Sequence, residues 1–278
     1  MPNNYQELVQ HWAAELTQYP TEEAENLVNW LLEHHLGLRR VDMMHFLDEK
    51  DLPDALKLDF EKLKAGEPIQ YILGKGPFYG REFFVNEHTL IPRNETEELV
   101  HLIIKENSQA GLKILDIGTG TGCIPISLDL EIKSPEVYGI DISEKALEVA
   151  RKNGELLKSN VSFLKCDILN EMPNVRELDI LVSNPPYVPE GEKSEMHRNV
   201  LDFEPELALF VPDLDPLLFY RVIGEKGKQL LKPGGKLYFE IHEKFGSGVA
   251  ELLTRLGYQE VKVIKDLNGK ERIASARN

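Results

Sequence analysis

The run Asn184-Pro185-Pro186-Tyr187 puts a carboxamide, two prolines and a phenol ring in consecutive positions. A planar nitrogen, such as an amide or an exocyclic amine, spreads its lone pair into a π system and is a poor nucleophile. A site overcomes this by accepting both N–H bonds and aiming the nitrogen at an electrophile. The Asn184 side-chain oxygen and the Pro185 carbonyl are the two candidate acceptors, and Tyr187 is the ring that can lie on the flat group. The residue before a proline is held extended, and prolines bring no N–H of their own. The turn therefore offers acceptors and few competing donors. Asn184, Pro185 and Tyr187 are the candidate catalytic residues, and Pro186 joins them in the candidate substrate site. The plainer alternative is a rigid turn that ends the apolar run Asp179–Ser183, with Tyr187 buried.

Two further motifs precede this one. Asp116-Ile117-Gly118-Thr119-Gly120-Thr121-Gly122 follows the apolar pair Ile114-Leu115 and leads into a helical stretch. Glycines there let the backbone turn sharply and approach a ligand closely. No Gly-Lys-Ser/Thr follows, so this is not a Walker loop. About 20 residues further on comes Gly139-Ile140-Asp141, where a carboxylate at a strand end can accept the hydroxyls of a ribose. The competing role for Asp141 is to cap the helix that begins near Ser143. Glycines at 118, 120 and 122 do not fit the Gly-x-Gly-x-x-Gly of dinucleotide-binding loops. The spacing closely resembles the Asp/Glu-x-Gly-x-Gly-x-Gly signature of S-adenosylmethionine-dependent methyltransferases, whose loop cradles the methionine end of the cofactor.

The elements that position these motifs follow from the apolar pattern. Leu8, Trp12 and Leu16 recur at helical spacing, as do Leu27, Trp30 and Leu31 after Pro20-Thr21, and Leu56, Phe60 and Leu63 after Pro53. This predicts a small helical bundle. From Pro68 onward glycines punctuate the chain, Glu82–Val85 reads as a strand, and a hairpin is expected. Asn94 with Glu97 matches a capping box for a helix running to about Ser108. Short apolar runs at Lys113–Ile117, Val137–Ile140, Val161–Lys165, Asp179–Ser183 and Lys236–Ile241 then alternate with helical stretches. Such alternation means a parallel sheet covered on both faces. Asn268-Gly269 between two extended runs predicts a terminal hairpin that adds an antiparallel strand. The polar, proline-rich stretch Val188–Pro216 has no clear period and reads as a long functional loop.

Composition narrows the partners. The 278 residues are 42% apolar, enough for a real core, and 32 Lys/Arg against 47 Asp/Glu leave a net charge of −15. That balance argues against holding nucleic acid by its phosphates. The two cysteines, Cys123 and Cys166, sit in no CxxC or Cys/His cluster, so neither a disulfide framework nor a structural zinc is expected. Cys123 opens a helix, which can acidify a thiol, although an inert buried role fits as well. His34 and His35 are adjacent on a helix and point to different faces, which does not suit metal ligation. No signal peptide or spanning segment is visible, and the cytoplasm is the expected location.

Further stretches add to the resemblance: Pro68-Ile69-Gln70-Tyr71-Ile72-Leu73-Gly74, Leu90-Ile91-Pro92-Arg93-Asn94-Glu95-Thr96-Glu97, Phe203-Glu204-Pro205 and Lys232-Pro233-Gly234-Gly235. With Asn-Pro-Pro-Tyr they make the whole chain similar to the HemK-type (PrmC) release factor glutamine N5-methyltransferases. The visible departure is Asn94, where the family pattern has a proline. The resemblance implies an α/β fold: a Rossmann-like class I S-adenosylmethionine-dependent methyltransferase sheet, with a small N-terminal helical domain. It implies a helical substrate-recognition domain over 1–67, a β-hairpin linker over 68–93 and a methyltransferase domain over 94–278. The implied activity is methylation of the amide nitrogen of the glutamine in the Gly-Gly-Gln motif of peptide chain release factors; direct transfer from the sulfonium needs no metal, and nothing in the sequence requires more than a monomer.

By position, the cofactor residues are Gly118, Thr119, Gly120, Thr121, Gly122, Asp141 and Asn184, with Asp167 and Ile168 beside the adenine. Asp167 can equally cap a turn. Arg93 and Glu95 lie in the linker match and either order the cofactor pocket or form an exposed ion pair. Glu204 either pins the long loop near the site or is plain surface. The alternative activity is methylation of an adenine nitrogen in DNA or RNA, which would use the same four-residue motif.

Overall fold

The structure is a computed structural model that describes residues 4–37 and 51–278. It divides into two compact units, Met1–Lys75 with His197–Phe203, and Gly76–Met196 with Glu204–Asn278.

The first unit is helical. Helix α1 (Tyr5–Glu15) starts where Asn4 Oδ1 accepts from the Glu7 N–H at 2.9 Å, a side-chain N-cap. Helix α2 (Thr21–Leu36) begins after Pro20 and ends on Gly37 in the left-handed conformation, and α3 (Asp54–Lys64) begins after Pro53. A short α4 (Ile69–Leu73) follows Pro68. Their apolar faces meet in one core built on Leu8, Trp12, Val28, Leu31, Leu56, Phe60 and Leu63, with Trp12 and Phe60 stacked at 4.2 Å between ring centroids. His35 bonds Asp59 at 2.9 Å across α2 and α3, a structural pair. Helix α8 (Arg198–Phe203) also belongs to this unit.

The second unit opens on the hairpin β1 (Lys75–Phe78) and β2 (Arg81–Phe84), then α5 (Asn94–Glu106). The capping box expected there does not form. Arg93 occupies the N-cap position, Asn94 is already helical, and Glu97 instead accepts the Tyr79 N–H of the hairpin turn at 2.8 Å. A tertiary partner for the Glu97 carboxylate outcompetes the local one.

Seven strands follow in one sheet: β3 (Lys113–Ile117), β4 (Glu136–Asp141), β5 (Ser162–Lys165), β6 (Leu178–Ser183), β9 (Leu231–Glu240), β10 (Gln259–Lys265) and β11 (Glu271–Arg277). Their order is β10-β11-β9-β6-β3-β4-β5. The pairs β9–β6, β6–β3, β3–β4 and β4–β5 are parallel, whereas β11 runs antiparallel to both neighbours. Helices α6 (Cys123–Glu131), α7 (Glu144–Leu157), α9 (Leu218–Leu230) and α10 (Gly246–Arg255) provide the crossovers. The central strands are apolar without alternation because helices cover both faces. One core holds Leu115, Leu181, Leu237 and Tyr220, and the other holds Ile114, Ile180, Val182 and Leu99.

The stretch 188–216 carries more structure than its polarity suggested. It contains the parallel pair β7 (Val188–Pro189) and β8 (Phe210–Val211), two 3-10 turns and α8. The chain leaves β3 toward β4 on one side and later returns to β6 on the other, so the strand order reverses beside β3. In open α/β sheets, ligands bind at such a switch point, beyond the carboxyl ends of the strands.

Candidate active site

A cleft lies at that switch point. Its walls come from His88–Arg93 and Thr96, from the turn after β3 (Ile117–Thr121), from the end of β4 (Asp141), from Cys166–Leu169, from Ser183–Pro186, from Pro205, Leu207 and Ala208, and from Phe219 and Ile223 of α9. Gly118, Thr119, Gly120, Thr121, Asp141, Asp167, Ile168, Asn184, Pro185 and Pro186 thus come together there. Gly122 and Tyr187 do not line it.

The glycine turn has a specific local cause. Gly118, Gly120 and Gly122 all have positive φ (74°, 52° and 78°). A Cβ added at Gly118 or Gly120 would project into open space, whereas at Gly122 it would meet Ile126, Phe163 and Ala150 at 3.1–3.2 Å. The first two keep the backbone open toward the cleft, and the third lets α6 start close against α7 and β5. The turn is anchored from outside by Asn153 of α7, whose Nδ2 donates to the carbonyls of Thr121 and Phe84 and whose Oδ1 accepts the Phe84 N–H at 2.7 Å.

Asp141 faces the turn. Its Oδ2 accepts the Gly120 N–H and its Oδ1 the Ser143 N–H, each at 2.9 Å. The cap of α7 is Ser143 itself, which accepts from Ala146 N–H. A carboxylate has about four acceptor positions, so Asp141 keeps two for a ligand. Burial pushes its carboxyl upward, and the backbone N–H bonds of Ser143 and Gly120 oppose this. Asp167 accepts from Leu169 N–H and Asn170 Nδ2, so it both orders a turn and lines the cleft beside Ile168.

Under the glycine turn lies Asp116. It is fully buried, and neither of its carboxylate oxygens, nor Thr119 Oγ1, has a hydrogen-bond partner among the described residues. Burial pushes Asp116 up to about 7, and the charge of Asp141 adds to the rise. A carboxylate left unpartnered in a core is costly and marks a place where a cationic or hydrogen-bonding ligand belongs. Asp116 interrupts the otherwise apolar run Ile114–Ile117, and that break was the signal in the sequence. Cys123, by contrast, is buried with its thiol pushed up to about 12, so its place at a helix N-terminus does not acidify it.

The acceptor turn sits at the end of β6. Ser183 Oγ donates to the Ile117 carbonyl at 2.6 Å and ties β6 to β3. Asn184 Nδ2 donates to Thr96 Oγ1 at 3.3 Å, while its Oδ1 accepts no hydrogen bond among the described residues. The Pro185 carbonyl is likewise without a backbone donor. Thr96 Oγ1 donates in turn to Glu240 Oε2 at 2.6 Å, and the Tyr187 hydroxyl donates to Glu240 Oε1 at 3.2 Å. Burial pushes the Glu240 carboxyl upward, and the Thr96 bond and the Arg272 charge hold it down. The Tyr187 ring packs on the core and edge-on against His242.

Glu204 is buried, not surface. It accepts the Ile91 N–H at 3.1 Å and Arg93 Nη2 at 2.6 Å, and so joins two walls of the cleft. Arg93 therefore pairs with Glu204 and not with Glu95. Thr96, Glu240, Asn153 and Glu204 acquire these roles only through contacts more than thirty residues apart in the chain. No cluster that could hold a metal ion occurs among the described residues.

A switch-point cleft, a glycine turn after the first sheet strand and a carboxylate closing the second define a Rossmann-like methyltransferase domain. Residues 108–265 match the family described as "Methyltransferase domain", and residues 7–74 match "PrmC N-terminal domain". The fold is that of a methyltransferase from Pyrococcus furiosus, at a TM-score of 0.53 and 22% identity over 80% of this chain and 96% of that one. The chain is 48% identical to a release factor glutamine methyltransferase of Bacteroides thetaiotaomicron over 93% of its own length and 94% of the relative's. It is 40% identical to that of Bacillus subtilis, over 95% of each chain. The chain belongs to the release factor glutamine methyltransferase family.

The cleft fits S-adenosylmethionine, the methyl donor of this class. Open backbone at Gly118 and Gly120, spare acceptor positions on Asp141 and the orphaned Thr119 oxygen suit a ligand with a cationic end and a ribose, and the unpartnered Asp116 lies buried next to the turn, outside the cleft lining. Apolar Ile142, Ile168 and Phe219 suit a flat heterocycle.

Proposed function

We propose that this chain methylates the side-chain amide nitrogen of the glutamine in the Gly-Gly-Gln motif of peptide chain release factors. The reading is supported by relatives named for that activity across almost the whole chain. The single structural observation behind it is the Asn184 carboxamide, whose nitrogen is engaged by Thr96 and whose oxygen is left as an acceptor at the cleft.

The glycine turn, Asp141, Asp167 and Ile168 hold the cofactor, and Asn184 to Pro186 hold the glutamine. Bound S-adenosylmethionine supplies a methyl carbon made electrophilic by its sulfonium. The chain's own contribution is to hold the substrate amide by its two N–H bonds, on Asn184 Oδ1 and the Pro185 carbonyl. Both acceptors are oriented before the substrate arrives, so they stabilise the positive charge that develops on nitrogen without reorganising. Fixing the nitrogen in line contributes up to about 7–11 kcal/mol in favourable cases. The nitrogen would gain the methyl group as the donor's sulfur–methyl bond breaks, leaving S-adenosylhomocysteine as a neutral thioether, and the displaced amide proton would pass to solvent. Tyr187 serves through its hydroxyl on Glu240, which anchors the end of the motif.

The helical unit, which carries the match to the PrmC N-terminal domain, engages the release factor. The chain acts as a monomer in the cytoplasm without nucleic acid or membrane. Its net charge of −15 supports a protein substrate over DNA or RNA, and no described helix is long and apolar enough to cross a membrane. The test is peptide mass spectrometry of a release factor incubated with the chain and S-adenosylmethionine. The Gly-Gly-Gln peptide should gain the mass of one CH2 on its glutamine. Unchanged glutamine beside labelled duplex DNA or RNA would establish the adenine activity instead.

A further inference from the structure

The Asn184 carboxamide can serve as an acceptor only if its oxygen, and not its amide nitrogen, faces the substrate. The two ends have nearly the same shape, so packing alone cannot choose between them; hydrogen-bond polarity can. Glu240, at the end of β9, and Thr96, in the first turn of α5, are 1% and 2% exposed, so water does not compete for their bonds. A threonine hydroxyl has one proton, and Glu240 Oε2 takes it at 2.6 Å. The Thr96 oxygen is left with lone pairs, and Asn184 Nδ2 meets them at 3.3 Å. Turning the carboxamide over would set two lone-pair oxygens against each other. The Tyr187 hydroxyl, kept protonated by burial, fills the other Glu240 oxygen.

We propose that Glu240, acting through Thr96, sets the direction of this hydrogen-bond chain and thereby keeps the Asn184 oxygen facing the substrate, so that both are positioning residues for methyl transfer. The inference rests on the reading of Asn184 as the acceptor of the glutamine N–H. Glu240 also lies between β11 and β6 at the sheet's carboxyl end, so a purely structural role, tying α5 to β9, is the competing account.

The full chain carrying Thr96→Val, Thr96→Ser or Glu240→Gln separates the two accounts, with thermal midpoint, S-adenosylmethionine Kd and steady-state methylation of a release factor read on each. Thr96→Val keeps the shape and removes the hydroxyl. It should lower kcat about tenfold or more, the equivalent of one net hydrogen bond, with cofactor Kd little changed and the thermal midpoint lowered because Glu240 Oε2 loses its buried donor. Thr96→Ser, which restores the hydroxyl, should recover most of that loss. Glu240→Gln supplies an amide that can donate to Thr96 and reverse the chain, so kcat should fall while the thermal midpoint does not, because a buried charge has been removed. Wild-type kcat in both Thr96→Val and Glu240→Gln would overturn the proposal, as would a kcat loss that Thr96→Ser shares. Should Thr96→Val fail to fold, Glu240→Gln alone decides. Asn184→Ala run in parallel keeps the levels apart. If it is inactive while Thr96→Val and Glu240→Gln are both fully active, only the positioning chain fails; if it is active, the reading of Asn184 fails.

Discussion

The Gly120 N–H lies 2.9 Å from Asp141 Oδ2, so the turn after β3 and the carboxylate ending β4 form one unit. The carboxylate proposed to accept a ribose also holds the glycine turn in its open shape. Asp141→Ala should therefore harm the cofactor site twice, through lost ligand bonds and through a loosened turn. At about 1 kcal/mol per net hydrogen bond, cofactor Kd should rise about 10–100-fold. Isothermal titration calorimetry with S-adenosylhomocysteine checks this, and a Kd within twofold of the parent would exclude the assignment.

The buried Asp116 carboxyl beside the glycine turn should give cofactor affinity a pH dependence. Its carboxyl, pushed up to about 7, is neutral below that value and charged above it. S-adenosylmethionine carries net positive charge and favours the charged form. Affinity should rise as pH climbs through this value and level off above it, with a proton released on binding at lower pH. Asp116→Asn stays neutral throughout, so the step should vanish from its titration curve. A step of the same size in that variant would assign the dependence to another group.

Two glycines of one turn should respond differently to alanine. At Gly122, positive φ combines with Cβ contacts of 3.1–3.2 Å to side chains of α6, β5 and α7. Gly122→Ala should cost about 2–4 kcal/mol in urea unfolding. At Gly120 the added carbon meets open space, so the fold should lose about 1 kcal/mol while cofactor affinity falls more steeply than stability. Equal unfolding penalties would mean that Gly120 is as crowded as Gly122.

Local chemistry made much of this legible in the sequence. Asp116 to Gly122, Asp141 and Asn184 to Tyr187 each end or follow an apolar run, and in a parallel sheet such run ends converge on one edge. The strand and helix alternation gave the sheet because both of its faces are buried. Partners far apart in sequence stayed hidden. Nothing local marks Thr96 as the link between Glu240 and Asn184, or Asn153 as the clasp on the glycine turn. Glu204 looked no different from a surface carboxylate until it met Ile91 and Arg93. Asn94 and Glu97 matched a local capping pattern, yet the Tyr79 N–H took the Glu97 carboxylate. The polar stretch 188–216 folds by pairing Val188 with Phe210, a contact that no periodicity announces.

Turnover by Asn184→Ala tests the central claim most directly. Removing one preorganised polar group from a developing charge costs about 100–1000-fold in kcat. The account predicts a loss of that size in steady-state methylation of a release factor, with S-adenosylmethionine Kd within a few fold of the parent. Near-parental kcat in a folded, cofactor-binding Asn184→Ala chain would contradict it.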